Sequence, residues 1–133
     1  MSTTITTLAL LTTALLFGGM VLFSFGFAAF LFSALPTDVA RQTIRRAFPH
    51  FYLFVIATAL LAAVLTGSHD GVGAGLLAFI AVTTIPARQV LMPAINRATD
   101  RGAKARFNRL HAGSVVLTLV HIGLAGVALA RFV

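Results

Sequence analysis

Four histidines, His50, His69, His111 and His121, are the side chains here whose chemistry reaches beyond packing. Imidazole titrates near neutrality and binds metals through a neutral nitrogen. The chain has no cysteine, so thiolate ligands, disulfides and sulfur nucleophiles are excluded. Its three acidic residues are Asp38, Asp70 and Asp100. None lies inside an apolar run, which removes a carboxylate proton relay. His69 precedes Asp70 in a Gly-Ser-His-Asp-Gly stretch and reads as a solvated turn residue. His50 and His111 each stand at the head of an apolar run, at one common membrane level. Two imidazoles on facing helices are a donor set for the iron of one haem b or for one transition-metal ion, and Asn96 and Asp100 are placed to orient them.

His121 follows His111 by ten residues, about 15 Å deeper along a helix. One helix cannot bring both to one atom, so His121 needs a partner from elsewhere. Near the bilayer midplane an ionisable group is costly unless it faces the interior. Ser24 and Thr58 fall at the same depth, which predicts a buried polar cluster of Ser24, Thr58 and His121. That cluster is either structural or part of a haem, metal or proton site.

These residues must be carried by membrane-spanning helices. No charge occurs from Ser2 to Thr37, and about 20 apolar residues cross a hydrocarbon core. The apolar runs predict spans at about 8–35, 49–66, 72–92 and 111–132, with the first retained and Pro49 in the first turn of the second. Between them, 36–48 and 93–110 read as short basic amphipathic surface segments, and 67–71 as a tight turn. Gly19, Phe23, Gly26 and Phe30 form one stripe of small and large residues, a packing face. Asp100 and Lys104 have helical ion-pair spacing. The fold expected is all-α, an integral membrane antiparallel four-helix bundle in a single domain, 1–133.

Charge sets the orientation. The net charge is +7 with ten Lys and Arg, nine of them at or beside the segments 36–48 and 93–110. Those segments should face the cytoplasm and both termini the outside, as in a bacterial inner-membrane protein. Basic residues that flank spans point to anionic lipids at the cytoplasmic face rather than to nucleic acid.

Five pieces of the chain together resemble the transmembrane protein 205 family: Gly19-Met20-Val21-Leu22-Phe23-Ser24-Phe25, Leu35-Pro36, Phe48-Pro49 with Tyr52, Pro93-Ala94-Ile95-Asn96-Arg97 with Asp100, and Phe107 with Leu110-His111 and Ser114. The bacterial members of that family are membrane domains of unknown function. The resemblance implies a four-helix membrane protein, with distant fold kinship to copper resistance protein D and to the haem-binding membrane protoporphyrinogen oxidase family. It singles out Ser24, Pro49, Tyr52, Asn96, Asp100, His111 and Ser114. It does not carry His50 or His121, and Phe51 and Thr118 depart from its pattern.

Three functions fit these residues. The first is a cytoplasm-proximal site at His111, with His50 or His121 as further ligands and Asn96, Asp100, Ser114 and Tyr52 around them, holding haem or a metal, with His111 and His50 as the metal ligands. The second is a cofactor-free scaffold or accessory subunit, packed against itself as a homo-oligomer or against a partner in a membrane complex. The third is an oligomeric small transporter or metal-export protein. No hydrolase constellation is present.

Overall fold

The computed structural model describes residues 2–133. Four long helices make up the fold: α1 Thr3–Ala34, α2 Thr37–Thr66, α3 Gly71–Asp100 and α4 Lys104–Ala130. Each has 27 to 32 residues, hence about 40–48 Å of rise against a core of roughly 30 Å. All four are long and apolar enough to cross a membrane. Among the described residues there is no strand.

Short connections force neighbouring helices to run antiparallel. α1 packs on α2 and α4, and α3 packs on α2 and α4. The order round the bundle is therefore the order in the chain, with α1 opposite α3 and α2 opposite α4. Leu35 and Pro36, both extended, make the first break. The third is a glycine cap. Gly102 takes φ 64°, its N–H donates to Thr99 O, and Ala103 N–H donates to Ala98 O, a Schellman closure that satisfies the last carbonyls of α3.

Residues 37–48 and 93–100 are helical, each continuous with a span rather than set apart from it, and 104–110 opens α4 after the break at 101–103. Residues 37–48 run straight into the second span through Pro49, which sits inside α2 and not in a first turn. An internal proline costs about 3 kcal/mol by forfeiting a hydrogen bond. Packing offsets it, because Ala40, Phe51, Tyr52, Val55, Ala59 and Ala62 form one buried face that crosses the proline. Similarly, α3 passes Pro93 and continues to Asp100, with Met92, Ala94, Ile95 and Ala98 buried. Between Pro86 and Pro93 a π-helical turn, Ala87–Leu91, takes up the missing donors: Met92 N–H reaches back to Ala87 O.

A second π turn, Leu22–Phe27, widens α1. It lets Phe23 stack on Phe51 of α2, with ring centroids 4.0 Å apart and planes within 6°. Phe48 meets Phe23 edge-on at 5.2 Å. Below this ring cluster the core is Leu16, Met20, Val55, Leu77 and Ile80, with Ala9, Ala59, Ala62, Ala81, Ala125 and Ala128 fully or almost fully buried. Small residues let helix backbones approach where lipid offers no hydrophobic drive. Gly19 shows how close: a Cβ there would stand 2.6 Å from the Phe54 ring. The predicted stripe is thus divided. Gly19 and Phe23 pack on α2, whereas Phe30 is 63% exposed and Gly26 faces an open groove.

Candidate functional site

The deepest polar contact joins α3 to α4. His121 is 4% exposed, and its Nε2 lies 2.7 Å from Thr83 Oγ1. The Thr83 hydroxyl also sits 2.7 Å from Phe79 O, to which it donates. With that proton used, Nε2–H is the donor to Thr83. The pair gives a buried histidine the partner that burial demands.

Ser24 and Thr58 are not that partner. Thr58 donates to Phe54 O of its own helix at 2.7 Å. Ser24 lies half-buried in the π turn of α1. No hydrogen bond links either to His121 among the described residues. Thr83 was legible by the same depth count, since it and His121 are each nineteen residues from Gly102.

The two shallower histidines stand apart. His50 on α2 is exposed and lines a groove against α1. His111 on α4 is exposed, and its ring stacks on Phe107, one turn earlier, at 5.4 Å. α2 and α4 are diagonal in the bundle. Ser114 donates to the His111 backbone carbonyl at 2.7 Å. Tyr52, 4% exposed, has Phe48 and Phe51 as its ring neighbours. Asn96 is half-buried on α3. His69 is exposed in the turn 67–70 and has Phe132 as its ring neighbour at 5.7 Å. No group of three or more metal-binding side chains occurs among the described residues. Among the described residues the three candidate imidazoles do not converge: His50 and His111 stand exposed on diagonal helices, and His121 is buried against Thr83.

Asp100 is engaged elsewhere. Arg45 of α2 grips it with two bonds, NH1 to Oδ1 at 2.7 Å and NH2 to Oδ2 at 3.0 Å, in place of the helical pair with Lys104 that spacing predicts. A bidentate fork outcompetes a single flexible ammonium. At the other end of the bundle Arg131 holds Asp70 in the same way, Nε to Oδ2 at 2.6 Å and NH2 to Oδ1 at 2.8 Å. Arg131 holds the Asp70 carboxyl well below the usual carboxylate range, helped by the N–H groups of Gly73 and Val72 in the first turn of α3.

One cation enters the bundle: Arg88 Nε donates to Pro49 O at 3.1 Å, and its NH1 to Gln89 Oε1 at 2.9 Å. Beyond Arg45 and Arg131, the other eight Lys and Arg residues form no ion pair among the described residues. All eight, Arg88 included, lie at the end that carries the breaks at 35–36 and 101–103.

Two apolar grooves open on the outside of the bundle. One, about 770 Å³, runs between α1 and α2 along Phe23, Gly26, Phe27 and Phe30, with His50 among its lining residues. The other, about 510 Å³, runs between α3 and α4 and includes Thr83 and Arg106. Neither follows from sequence periodicity, because each is lined by residues of two helices and of a π turn.

Comparison with known proteins gives one match. No curated protein and no solved structure matches the chain. The model of a Domain of unknown function (DUF4149) matches residues 11–104, from the third turn of α1 through α2 and α3 to the first residue of α4. His50, Tyr52, Asn96 and Asp100 lie inside the matched residues, and His111, Ser114 and His121 beyond them. That match spans well over half of the sequence, and the chain therefore belongs to the DUF4149 family.

Proposed function

We propose that the protein is an accessory bundle of the bacterial inner membrane, working without haem or a metal and using its cationic end to engage the anionic cytoplasmic leaflet. One observation carries this reading: among the described residues, eight lysines and arginines without an ion-pair partner are gathered at one end, while the only one at the other end, Arg131, is neutralised by Asp70. Basic residues next to membrane spans are retained on the cytoplasmic side, and each adds about 1 kcal/mol of attraction to an anionic surface. Helices longer than the hydrocarbon core carry these cations into the headgroup region. Two polar side chains that reach into the bundle are engaged in structural bonds, His121 to Thr83 and Arg88 to Pro49 O.

The test uses protein purified in mild detergent. Its lipid headgroups, its absorption spectrum and its metal content are measured together. The expected result is enrichment of anionic over zwitterionic lipid relative to the source membrane, declining as salt is raised. A stoichiometric Soret band or metal ion, lost in His111→Ala or His50→Ala, would overturn the cofactor-free reading. Equal recovery of both lipid classes would overturn the electrostatic one.

A further inference from the structure

Of the two grooves, the one between α3 and α4 is built for a particular occupant. Its apolar wall is Ala87, Val90, Leu91, Leu110 and Leu117, and Arg106 is among the residues that line it. Three residues of the π turn Ala87–Leu91 line it: Ala87, Val90 and Leu91. Arg106 has no ion-pair partner among the described residues. The groove between α1 and α2 contains no cation at all.

Depth fixes the length of what fits. Thr83, at the inner part of the groove, touches His121, the middle of the last apolar run. Arg106 precedes His121 by fifteen residues, about 22 Å along the helix axis. Half of a hydrocarbon core is about 15 Å, so the groove reaches from the midplane to the headgroup level, the depth of one leaflet.

We infer that this groove is a binding site for an anionic phospholipid, with one acyl chain along Val90, Leu110 and Leu117 and the headgroup phosphate paired with Arg106. The site rests on the orientation proposed above, because it needs Arg106 at the anionic leaflet. It goes further in assigning one lipid to one place. An unpaired guanidinium at headgroup depth gains two charge-assisted bonds to a phosphate, and in an anionic lipid that phosphate has no ammonium of its own headgroup beside it to compete, as it does in phosphatidylcholine.

The experiment uses the full chain in lipid nanodiscs with phosphatidylglycerol carrying a photoreactive diazirine in one acyl chain, and the same probe on phosphatidylcholine. Labelled residues are mapped by mass spectrometry. The phosphatidylglycerol probe should label Val90, Leu110 and Leu117 above the outward faces of α1 and α2. Arg106→Gln should lower that labelling about five-fold, and Arg41→Gln, which removes a cation of the same end that does not line the groove, should lower it less. Val90→Trp, which fills the channel and leaves Arg106 in place, should abolish it. Equal labelling by both probes, equal effects of Arg106→Gln and Arg41→Gln, or label spread evenly over all four helices would overturn the site. Absence of any anionic enrichment in the unmodified protein would instead sink the cationic-end reading on which it rests.

Discussion

The two ends of the bundle are closed by the same device in different surroundings. At each, one aspartate accepts two hydrogen bonds from one arginine of another helix. At the end with the 67–70 turn, Asp70 is only 17% exposed and sits over the first turn of α3. At the opposite end, Asp100 is 58% exposed and lies at the last residue of α3. A carboxylate is favoured at a helix N-terminus and disfavoured at a C-terminus. The Asp70 pair is therefore the stronger clamp, and it leaves its end neutral. The Asp100 pair joins α2 to α3 amid an excess of cations. Charged residues are only 10% of the chain against about 25% in ordinary domains, so the net charge of +7 reflects missing carboxylates more than abundant lysine and arginine. With so few carboxylates, where each one stands decides the electrical character of each end.

The largest effect should come from reversing that difference. The protein lacks cysteine, so a single introduced thiol reports its own side of the membrane. In intact cells an impermeant maleimide should label His69→Cys and reach Ala103→Cys only after permeabilisation. Converting Arg41, Arg46, Arg97, Arg101, Lys104, Arg106 and Arg109 to glutamine, together with Ser68→Lys and His69→Lys, leaves Arg45 and Arg88 at that end against three cations at the other, and should turn most molecules over, since positive charge near span ends sets orientation. The reporters for this charge-shifted chain are Ala103→Cys and Gly71→Cys. Unchanged labelling of the charge-shifted chain would mean that packing, not charge, fixes the topology.

Next in size is the unequal strength of the clamps. Asp70→Asn should lower the melting temperature in detergent by more than Asp100→Asn, and Arg131→Met by more than Arg45→Met. The pH dependence follows from the depressed Asp70 carboxyl. A group whose folded value lies below its unfolded value stabilises the fold above the unfolded value, about 4 for aspartate, and loses that contribution as pH falls through the range below it. Melting followed by circular dichroism between pH 6 and 3 should therefore show an acid loss in the native chain that is blunted in Asp70→Asn. An identical acid loss in both would place the responsible group elsewhere.

Much of the bundle was readable because its physics is local. An uncharged stretch from Ser2 to Thr37 can only be a long apolar helix, and the clustering of cations near 41–46 and 97–109 is visible without any contact. What escaped was non-local. Pro49 looked like a helix start because proline suits a first turn, yet the buried face from Ala40 to Ala62 carries the helix through it. Asp100 has Lys104 four residues on, but its partner Arg45 is 55 residues away. The histidines at 50 and 111 share a level along the chain, and level alone does not say which way two diagonal helices turn. His121 reads as a group in need of a partner, and its partner Thr83 was missed because only α1 and α2 were counted for polar residues at that depth.

The smallest effect should come from the midpoint between the ends, where His121 meets Thr83. Thr83→Val leaves the imidazole N–H without its acceptor, whereas His121→Leu leaves the Thr83 hydroxyl still bonded to Phe79 O. An unsatisfied buried donor costs about 1–3 kcal/mol, but polar pairs between membrane helices have averaged only about 0.6 kcal/mol where measured. A cost near 1 kcal/mol is expected for Thr83→Val and a smaller one for His121→Leu. If the pair is structural and independent of both ends, the Thr83→Val cost should be the same in the Asp70→Asn and Asp100→Asn backgrounds, as distant sites add. A cost that changes in one background and not the other would show that the midplane pair is coupled to that end, and would make Thr83 and His121 a relay between the two rather than a fixed seam.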